Sequence, residues 1–508
     1  MKTYSSTQSP RLPQLPRAQN VLSRTGLALG TFVGAWVLTA CGTMPASEVS
    51  AVLGRADTAM GATALKTIQF DASGTGGIFG QAYQPGMAWP KLTVTSFTRV
   101  LDYEGAASRL DVAQQRAEPT GGGAIPLMGQ GEQRATQLLK GTNAWNMAGP
   151  APQAAPLGVS GRVHDLWTSP HGAIKAALKN NTGARTVDEN GKRYTAVAFG
   201  SPGNFTATAY INANNLVERV ESVQPSPVMG DTATTTWYSD YKDVGGVKFP
   251  MRIRQSMGGF EVFDLAVKEF KPNVAVNIEV PALVPAFAER AVAEKVADGV
   301  WHLAGGSHNS VAIEMADHMI VVEAPLYDGR TSVMLAEVKK LSSKPIKYVI
   351  NSHHHFDHAG GLCTAAADGA EIVTSAAARP YFERIFANPN TVAPDALAKS
   401  GKRATVSGVD GKRVFTDGKR NVEVHYIENS VHAHGFNMVY MPAEKLLIEA
   451  DAYTPGAPNS PTPAVINANN LNLVQNMDRL KLNVERILPL HGRVVPVAEL
   501  YTAVGRRP

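Results

Sequence analysis

The sequence predicts an α/β protein of two domains, a mainly antiparallel β domain followed by a domain in which strands alternate with helices. The chain has 508 residues, more than a single compact core normally holds. Its front half contains short runs of alternating or β-favouring residues bounded by Gly, Pro and Asn, which indicate strands. In its second half, a helical stretch at 331–340 precedes an apolar strand at 346–350, which is the order expected of an α/β unit.

The front domain is predicted from a series of strand-like stretches. They are residues 92–100, 194–199, 205–211, 216–223, 234–241 and 247–254, the last two joined by a turn at 243–246. This block is similar to the curved antiparallel sheets of periplasmic lipoprotein-carrier domains; the alternative is an unrelated β-rich accessory domain. We place the β-rich domain at 62–271, a Pro- and Ala-rich linker at 272–293 and the second domain at 294–508.

The N-terminus is predicted to be a signal peptide comprising residues 1–40. Four basic residues and no acidic residue precede the apolar run 27–38, which is too short to span a membrane comfortably. The following Leu-Thr-Ala-Cys resembles the bacterial lipoprotein cleavage box, which implies lipid attachment at Cys41. The segment 41–61 is predicted to be a tether to the membrane or a short helix. Gly42 then favours a periplasm-facing lipoprotein of the outer rather than the inner membrane. The alternative is an ordinary apolar segment followed by a chance cysteine.

A dense run of histidines follows the strand 346–350. Imidazole and carboxylate groups are the usual zinc ligands in proteins. Alternate side chains at the end of a strand aim at one point, so His353 and His355 can meet one ion. Asp357 and His358 fall on the next turn, where they can reach a second ion. A solvated polyhistidine loop or a tag is the alternative, but tags lie at termini and lack the aspartate.

The spacing His-x-His-x-Asp-His resembles the signature of the metallo-β-lactamase superfamily. Three further blocks follow in that family's order: His432 three residues before a glycine, Asp451 at the end of a strand, and His491 directly before a glycine. An upstream hairpin carries Glu323 where the family usually has aspartate. The resemblance implies an αββα sandwich, in which two mixed sheets lie between outer helices and the metals lie at one edge.

Two divalent metal ions, most simply zinc, are implied by this resemblance. The expected ligands are His353, His355 and His432 for one ion, Asp357, His358 and His491 for the other, and Asp451 between them. A metal-bound hydroxide would then attack a small ester, lactone, thioester or β-lactam. Asp357 is the candidate that orients this hydroxide. Tyr453 is a candidate oxyanion donor, although a tyrosine packed under its loop is an equally simple interpretation.

The charge distribution indicates which classes of partner the protein can have. The net charge of +5 is spread without long runs and favours no nucleic acid partner, which leaves a small-molecule substrate and the membrane through the lipid anchor. Cys363 is interpreted as a buried structural thiol, and His354 as pointing away from the ions. His308 and His434 lie on loops at the ligand face and are weaker candidates for lining the pocket.

Two other functions remain open from the sequence. One is an iron-dependent dioxygenase of the same fold, which would hold a single iron mainly through His353, His432 and Asp451. The other is a lipid- or ligand-binding lipoprotein in which the front domain carries an apolar ligand and the metal site is auxiliary.

Overall fold

A computed structural model of the chain describes residues 44–118, 122–123, 131–147, 149, 151–203 and 205–506. The predicted signal peptide and the predicted lipid site at Cys41 lie outside these ranges. Within them, every helix is too short or too polar to cross a membrane.

The front domain is built on one antiparallel sheet of thirteen strands. In chain order the strands are β1 (Thr67–Gly77), β2 (Lys91–Asp102), β3 (Ala107–Arg116), β4 (Gln133–Lys140), β5 (Asn143–Met147), β6 (Pro152–Ala154), β7 (Asn181–Glu189), β8 (Lys192–Gly200), β9 (Thr206–Ile211), β10 (Val217–Ser226), β11 (Gly230–Ser239), β14 (Arg252–Met257) and β15 (Phe260–Pro272). They are arranged as β6-β5-β4-β3-β2-β1-β15-β14-β11-β10-β9-β8-β7. The turn predicted at 243–246 lies in a separate ribbon of β12 (Lys242–Val244) and β13 (Val247–Phe249).

Three helices pack against this sheet and complete its core. They are α1 (Ala46–Met60), α2 (Gly158–Thr168) and α3 (Pro170–Asn180). Helix α1 occupies most of the segment 41–61, which the sequence predicts to be a tether or a short helix. Val49, Leu53, Ala56 and Met60 recur at helical spacing and are buried against the strands, so this segment is part of the domain core.

The C-terminal domain contains two mixed sheets. The first has the order β16 (Val292–Ala297), β17 (Val300–Ala304), β18 (Ser310–Glu314), β19 (Met319–Val322), β20 (Ile346–Ile350), β21 (Glu371–Ser375) and β22 (Val406–Val409), with parallel pairing from β19 onward. The second has the order β23 (Lys412–Thr416), β24 (Asn421–Tyr426), β25 (Asn437–Met441), β26 (Leu446–Glu449), β27 (Arg486–Pro489) and β28 (Val495–Pro496), in which β26 and β27 are parallel.

The helices of this domain lie outside the two sheets. They are α4 (Asp328–Leu341), α5 (Phe356–Ala359), α6 (Leu362–Asp368), α7 (Arg379–Ile385), α8 (Ala396–Ser400), α9 (Ala468–Leu480) and α10 (Val497–Ala503). One apolar core joins the sheets to each other and to α9 and α10, and a second joins the first sheet to α4, α6 and α7. The predicted αββα sandwich is thus confirmed, with a β-rich domain in front of it.

Candidate metal centre

The predicted ligands lie on loops that leave strand ends at one edge of the sandwich. His353 and His355 follow β20, Asp451 follows β26, and His491 follows β27. Backbone hydrogen bonds hold these loops together. The amide of Asn437 donates to the carbonyl of Ser352 over 2.8 Å, which ties the β24–β25 loop to the loop after β20.

Three imidazoles converge in the first ligand group. The Nε2 atom of His353 lies 2.9 Å from Nδ1 of His355 and 3.1 Å from Nε2 of His432. His353 and His355 are fully buried, and burial together with the neighbouring imidazoles holds the pKa of each well below its usual value. Both rings are therefore neutral and present nitrogen lone pairs to the same point.

The second group contains the three residues expected there and one more. The Nε2 atom of His491 lies 3.1 Å from Nε2 of His358, and Oδ2 of Asp357 lies 3.6 Å from the same atom. Nε2 of His308 is 3.1 Å from Oδ2 of Asp357, and this histidine completes a set of four whose ligand atoms lie within 4.8 Å of one another. In the sequence, His308 was indicated only by its position on a loop at the face of the domain that bears the ligands.

Asp451 lies between the two groups and faces each with a different oxygen. Its Oδ2 is 2.9 Å from Nε2 of His432, while its Oδ1 is 2.8 Å from Nε2 of His491 and 3.1 Å from Nε2 of His358. This is the arrangement that a carboxylate shared by two ions requires.

The donor set fits divalent cations. Ligand nitrogens around a tetrahedral zinc ion are about 3.3 Å apart, close to the separations of His353 from its two neighbours. Neutral imidazole nitrogens that face one another at this distance repel unless a cation or a proton lies between them. Since burial disfavours protonation of His353 and His355, a metal ion is the charge that suits this position.

Charge in the second group is already paired. Burial alone would lower the pKa of His358, but the carboxylates of Asp451 and Asp357 raise it well above its usual value. Burial would likewise raise the pKa of Asp451, but His358 and His432 hold it well below its usual range. A bound ion would thus replace a proton that His358 carries between two carboxylates.

A second layer of partners fixes the orientation of the ligands. Glu323 is fully buried and accepts a hydrogen bond from Nδ1 of His358 over 3.0 Å and from the hydroxyl of Ser352 over 2.5 Å. The Ser352 oxygen lies 2.9 Å from Nδ1 of His353 and can accept its proton. One carboxylate therefore sets the ring orientation of one histidine in each group, leaving both Nε2 atoms free for metal. His491 is held similarly by donating from Nδ1 to the carbonyl oxygen of Ser307 over 3.0 Å.

The front domain reaches this centre through its β1–β2 loop, residues 78–90. The carbonyl oxygen of Ala82 accepts hydrogen bonds from Nε2 of His355 over 2.9 Å and Nε2 of His354 over 2.8 Å. The side-chain amide of Gln81 donates to Oδ1 of Asp357 over 2.8 Å. Sequence reasoning missed these contacts, because a backbone carbonyl has no signature in the sequence.

The remaining candidates lie elsewhere. Tyr453 is buried in the apolar core, where burial, followed by the charge of Glu499, raises its pKa to about 12. His354 points away from the ligands toward Ala82, as the alternation predicted. Cys363 is a buried free thiol on α6.

The chain is similar to several known proteins. Residues 303–481 match the family model described as the metallo-beta-lactamase superfamily. A probable metallo-hydrolase of Methanocaldococcus jannaschii is 26% identical over 207 residues, which cover 37% of this chain and 90% of that protein. Among solved structures, a metallo-beta-lactamase from Pontibacter korlensis is 16% identical and covers 42% of this chain and 98% of its own, with a TM-score of 0.33. The DIM-1 metallo-beta-lactamase is 15% identical and covers 42% of this chain and 96% of its own, with a TM-score of 0.32.

The match over residues 303–481, within the C-terminal domain, supports the metallo-β-lactamase superfamily. The family match, the similarity to a metallo-hydrolase and the two His/Asp groups support a metal-dependent hydrolase.

Proposed function

We propose that this protein is a hydrolase that uses two divalent ions, most simply zinc, to cleave a small ester, lactone, thioester or β-lactam. The observation that carries the proposal is Asp451, whose two oxygens face two separate ligand groups. When bound, a pair of such ions lowers the pKa of water toward neutrality and stabilises the negative charge that develops during hydrolysis.

The protein's own residues supply orientation and proton transfer at this centre. The side chain of Asp357 is 29% exposed, against 16% for Asp451, so Asp357 is the carboxylate that an incoming substrate and water meet first. Its Oδ1 is engaged by Gln81, and its Oδ2 faces His308. Asp357 is therefore the carboxylate that we assign to orient the attacking water.

A panel assay tests the proposal. Purified chain with its metal content measured would be incubated with nitrocefin, homoserine lactones, thioesters and aryl phosphate and sulfate esters. We expect turnover of at least one carbonyl substrate. We also expect that His353→Ala and His358→Ala each lower it by more than the roughly 10- to 100-fold typical for loss of an outer-layer partner. His318→Ala is the matched control, since His318 belongs to neither ligand group.

Two results would contradict the proposal. One is the absence of turnover on every substrate class by chain that holds two ions. The other is one iron per chain together with consumption of oxygen, which would identify the dioxygenase alternative.

We further propose that the protein is exported and anchored to the periplasmic side of the cell envelope through lipid on Cys41, in the outer membrane. The support is the basic segment, the apolar run and the Leu-Thr-Ala-Cys sequence at residues 38–41. Mass spectrometry of the N-terminal peptide from membrane fractions would show a lipidated Cys41. In Cys41→Ser, retention of the full uncleaved N-terminus is expected, whereas an unchanged membrane-bound product would contradict the anchor.

A further inference from the structure

The β1–β2 loop of the front domain lies across the metal-binding loop of the C-terminal domain. Besides the contacts of Gln81 and Ala82, the amide of Phe356 donates to the carbonyl of Gly80 over 3.3 Å, and the amide of His434 donates to the carbonyl of Tyr83 over 2.7 Å. Residues 80–83 of the β1–β2 loop thus each form a hydrogen bond to the loops that bear the candidate ligands.

These contacts act on the ligand atoms themselves. The Ala82 carbonyl only accepts hydrogen bonds, so the ring of His355 carries its proton on Nε2. A neutral imidazole with its proton on Nε2 has its lone pair on Nδ1, the atom that lies 2.9 Å from Nε2 of His353. The loop therefore selects the tautomer of His355 that can bind metal together with His353.

The second group is held from the same loop. The Gln81 amide occupies Oδ1 of Asp357 and leaves Oδ2 toward His358 and His308. Gln81 is itself fixed, since the amide of Gly123 donates to its carbonyl over 3.0 Å. A Cβ atom on Gly123 would lie 1.6 Å from the Gln81 side-chain oxygen, so the glycine provides the space that this arrangement needs.

We propose that the front domain is an integral part of the metal centre, with Ala82 and Gln81 as positioning residues for one ligand in each group. The inference rests on the proposed two-ion function for its purpose, but its test is metal affinity and needs no substrate.

Three variants of the full chain separate the contributions. Gln81→Met keeps the length of the side chain but removes the amide donor to Asp357. In Gly80→Ala, the added Cβ would lie 2.4 Å from the Phe356 ring on a backbone with φ of 71°, so the loop has to move and withdraw the Ala82 carbonyl. Gln84→Ala is the matched control, because Gln84 is exposed in the same loop.

The readout is the dissociation constant of each ion, from titration with zinc against a chromophoric chelator. Cadmium-113 spectra would provide a separate signal for each group. We expect Gln81→Met to lower the metal affinity of the group that contains Asp357 by about 10- to 100-fold. Gly80→Ala should lower the affinity of both groups, and Gln84→Ala should leave both affinities unchanged. Circular dichroism checks folding; if Gly80→Ala loses its fold, Gln81→Met decides. Wild-type affinities for both ions in Gln81→Met would overturn the proposal.

A cavity beside the same loop carries a second inference. It has a volume of about 490 Å³ and lies between the front sheet, the start of α2 and the metal-binding loop. Asp357 and Gln81 line one end, so the cavity adjoins the second ligand group. Its apolar lining includes Phe79, Leu157, Met257, Val262, Leu326 and Phe356.

Two charged side chains in its wall, Arg162 and Asp165, have partners within the front domain. The Arg162 guanidinium donates to the carbonyls of Leu138 and Trp145 over 2.8 and 2.9 Å, and Asp165 pairs with Arg99 over 2.8 Å. The space beside Asp357 is therefore suited to an uncharged, apolar group.

We propose that this cavity holds the acyl chain of an uncharged ester, lactone or thioester whose carbonyl lies at the metal centre. This inference rests on the proposed function and narrows its substrate class.

The test compares p-nitrophenyl acetate with p-nitrophenyl octanoate. Since each buried methylene contributes about 0.8 kcal/mol, we expect kcat/KM to be at least about 10-fold higher for the octanoate. Leu157→Glu places a charge in the wall at a side chain that is 49% exposed and is expected to remove this preference. Leu178→Glu is the control, at 42% exposure outside the cavity.

The outcomes are distinguishable. Equal kcat/KM for the two esters, or an octanoate preference that survives Leu157→Glu, would overturn the cavity assignment alone. Hydrolysis of neither ester by chain with two ions bound would count against the proposed hydrolase function.

Discussion

Glu323 connects the two ligand groups, and its replacement by glutamine is the most informative single substitution in the second layer. Its Oε1 accepts from the side-chain amide of Asn351 over 3.0 Å and the backbone amide of Ser352 over 3.3 Å, and its Oε2 accepts from the Ser352 hydroxyl and from Nδ1 of His358. In Glu323→Gln the new NH₂ group faces two donors whichever way the amide is turned.

The expected loss follows from the hydrogen bonds. A hydrogen bond to a charged group contributes about 1.5–3 kcal/mol, and 1.4 kcal/mol is a factor of ten in affinity. The ion held by His358 should therefore bind about 10- to 150-fold more weakly in Glu323→Gln. The ion held by His353 should lose less, because its link to Glu323 passes through the Ser352 hydroxyl.

Ser352→Ala provides the matched comparison. It removes the partner of Nδ1 of His353 but leaves the hydrogen bond from His358 to Glu323 in place. We therefore expect a lower metal affinity only in the first group, which contains His353. Zinc titration against a chelator, with cadmium-113 spectra to assign the groups, measures both constants. Wild-type affinity for both ions in Glu323→Gln would refute the role that we give to this carboxylate.

Three further outcomes are expected. Calorimetry would compare metal-loaded protein, at a free ion concentration about 1,000 times the dissociation constant, with protein from which a chelator has removed the metal. We expect the melting temperature of the C-terminal domain to be roughly 10 °C lower without metal. An unchanged transition would contradict a structural contribution of the ions. Burial lowers the pKa of His171 to about 4, so the unfolded state takes up the proton first, and about 3 kcal/mol of stability should be lost as the pH falls from 6.5 to 4. Urea unfolding across this range checks it, and His171→Gln should flatten the dependence. Burial raises the pKa of the Cys363 thiol, so mass spectrometry should find its peptide alkylated only after unfolding; rapid alkylation of the native chain would place the thiol at the surface.

The candidate ligands could be predicted from the sequence, because the His-x-His-x-Asp-His spacing and the order of the later blocks resemble the family pattern. His353, Asp451 and His491 each lie within a few residues of a strand end, and the two mixed sheets bring those ends to one edge. The positions of these ligands at strand ends were therefore enough to predict that their side chains lie close together.

The contribution of the front domain could not be predicted in this way. Gln81 and Asp357 are separated by 276 positions, and a glutamine in a loop has no pattern that indicates its partner. For residues 41–61 the sequence left a tether and a short helix open; the structure has the helix α1 there, and its Val49 and Leu53 pack into the core.

The central claim is that two ions lie on either side of Asp451. Anomalous diffraction from crystals of the zinc-loaded chain, recorded at the zinc edge, tests it most directly. We expect two peaks, one among His353, His355 and His432 and the other among Asp357, His358 and His491. A single peak in the first group, with scattering at the iron edge instead of the zinc edge in protein as purified, would contradict the account.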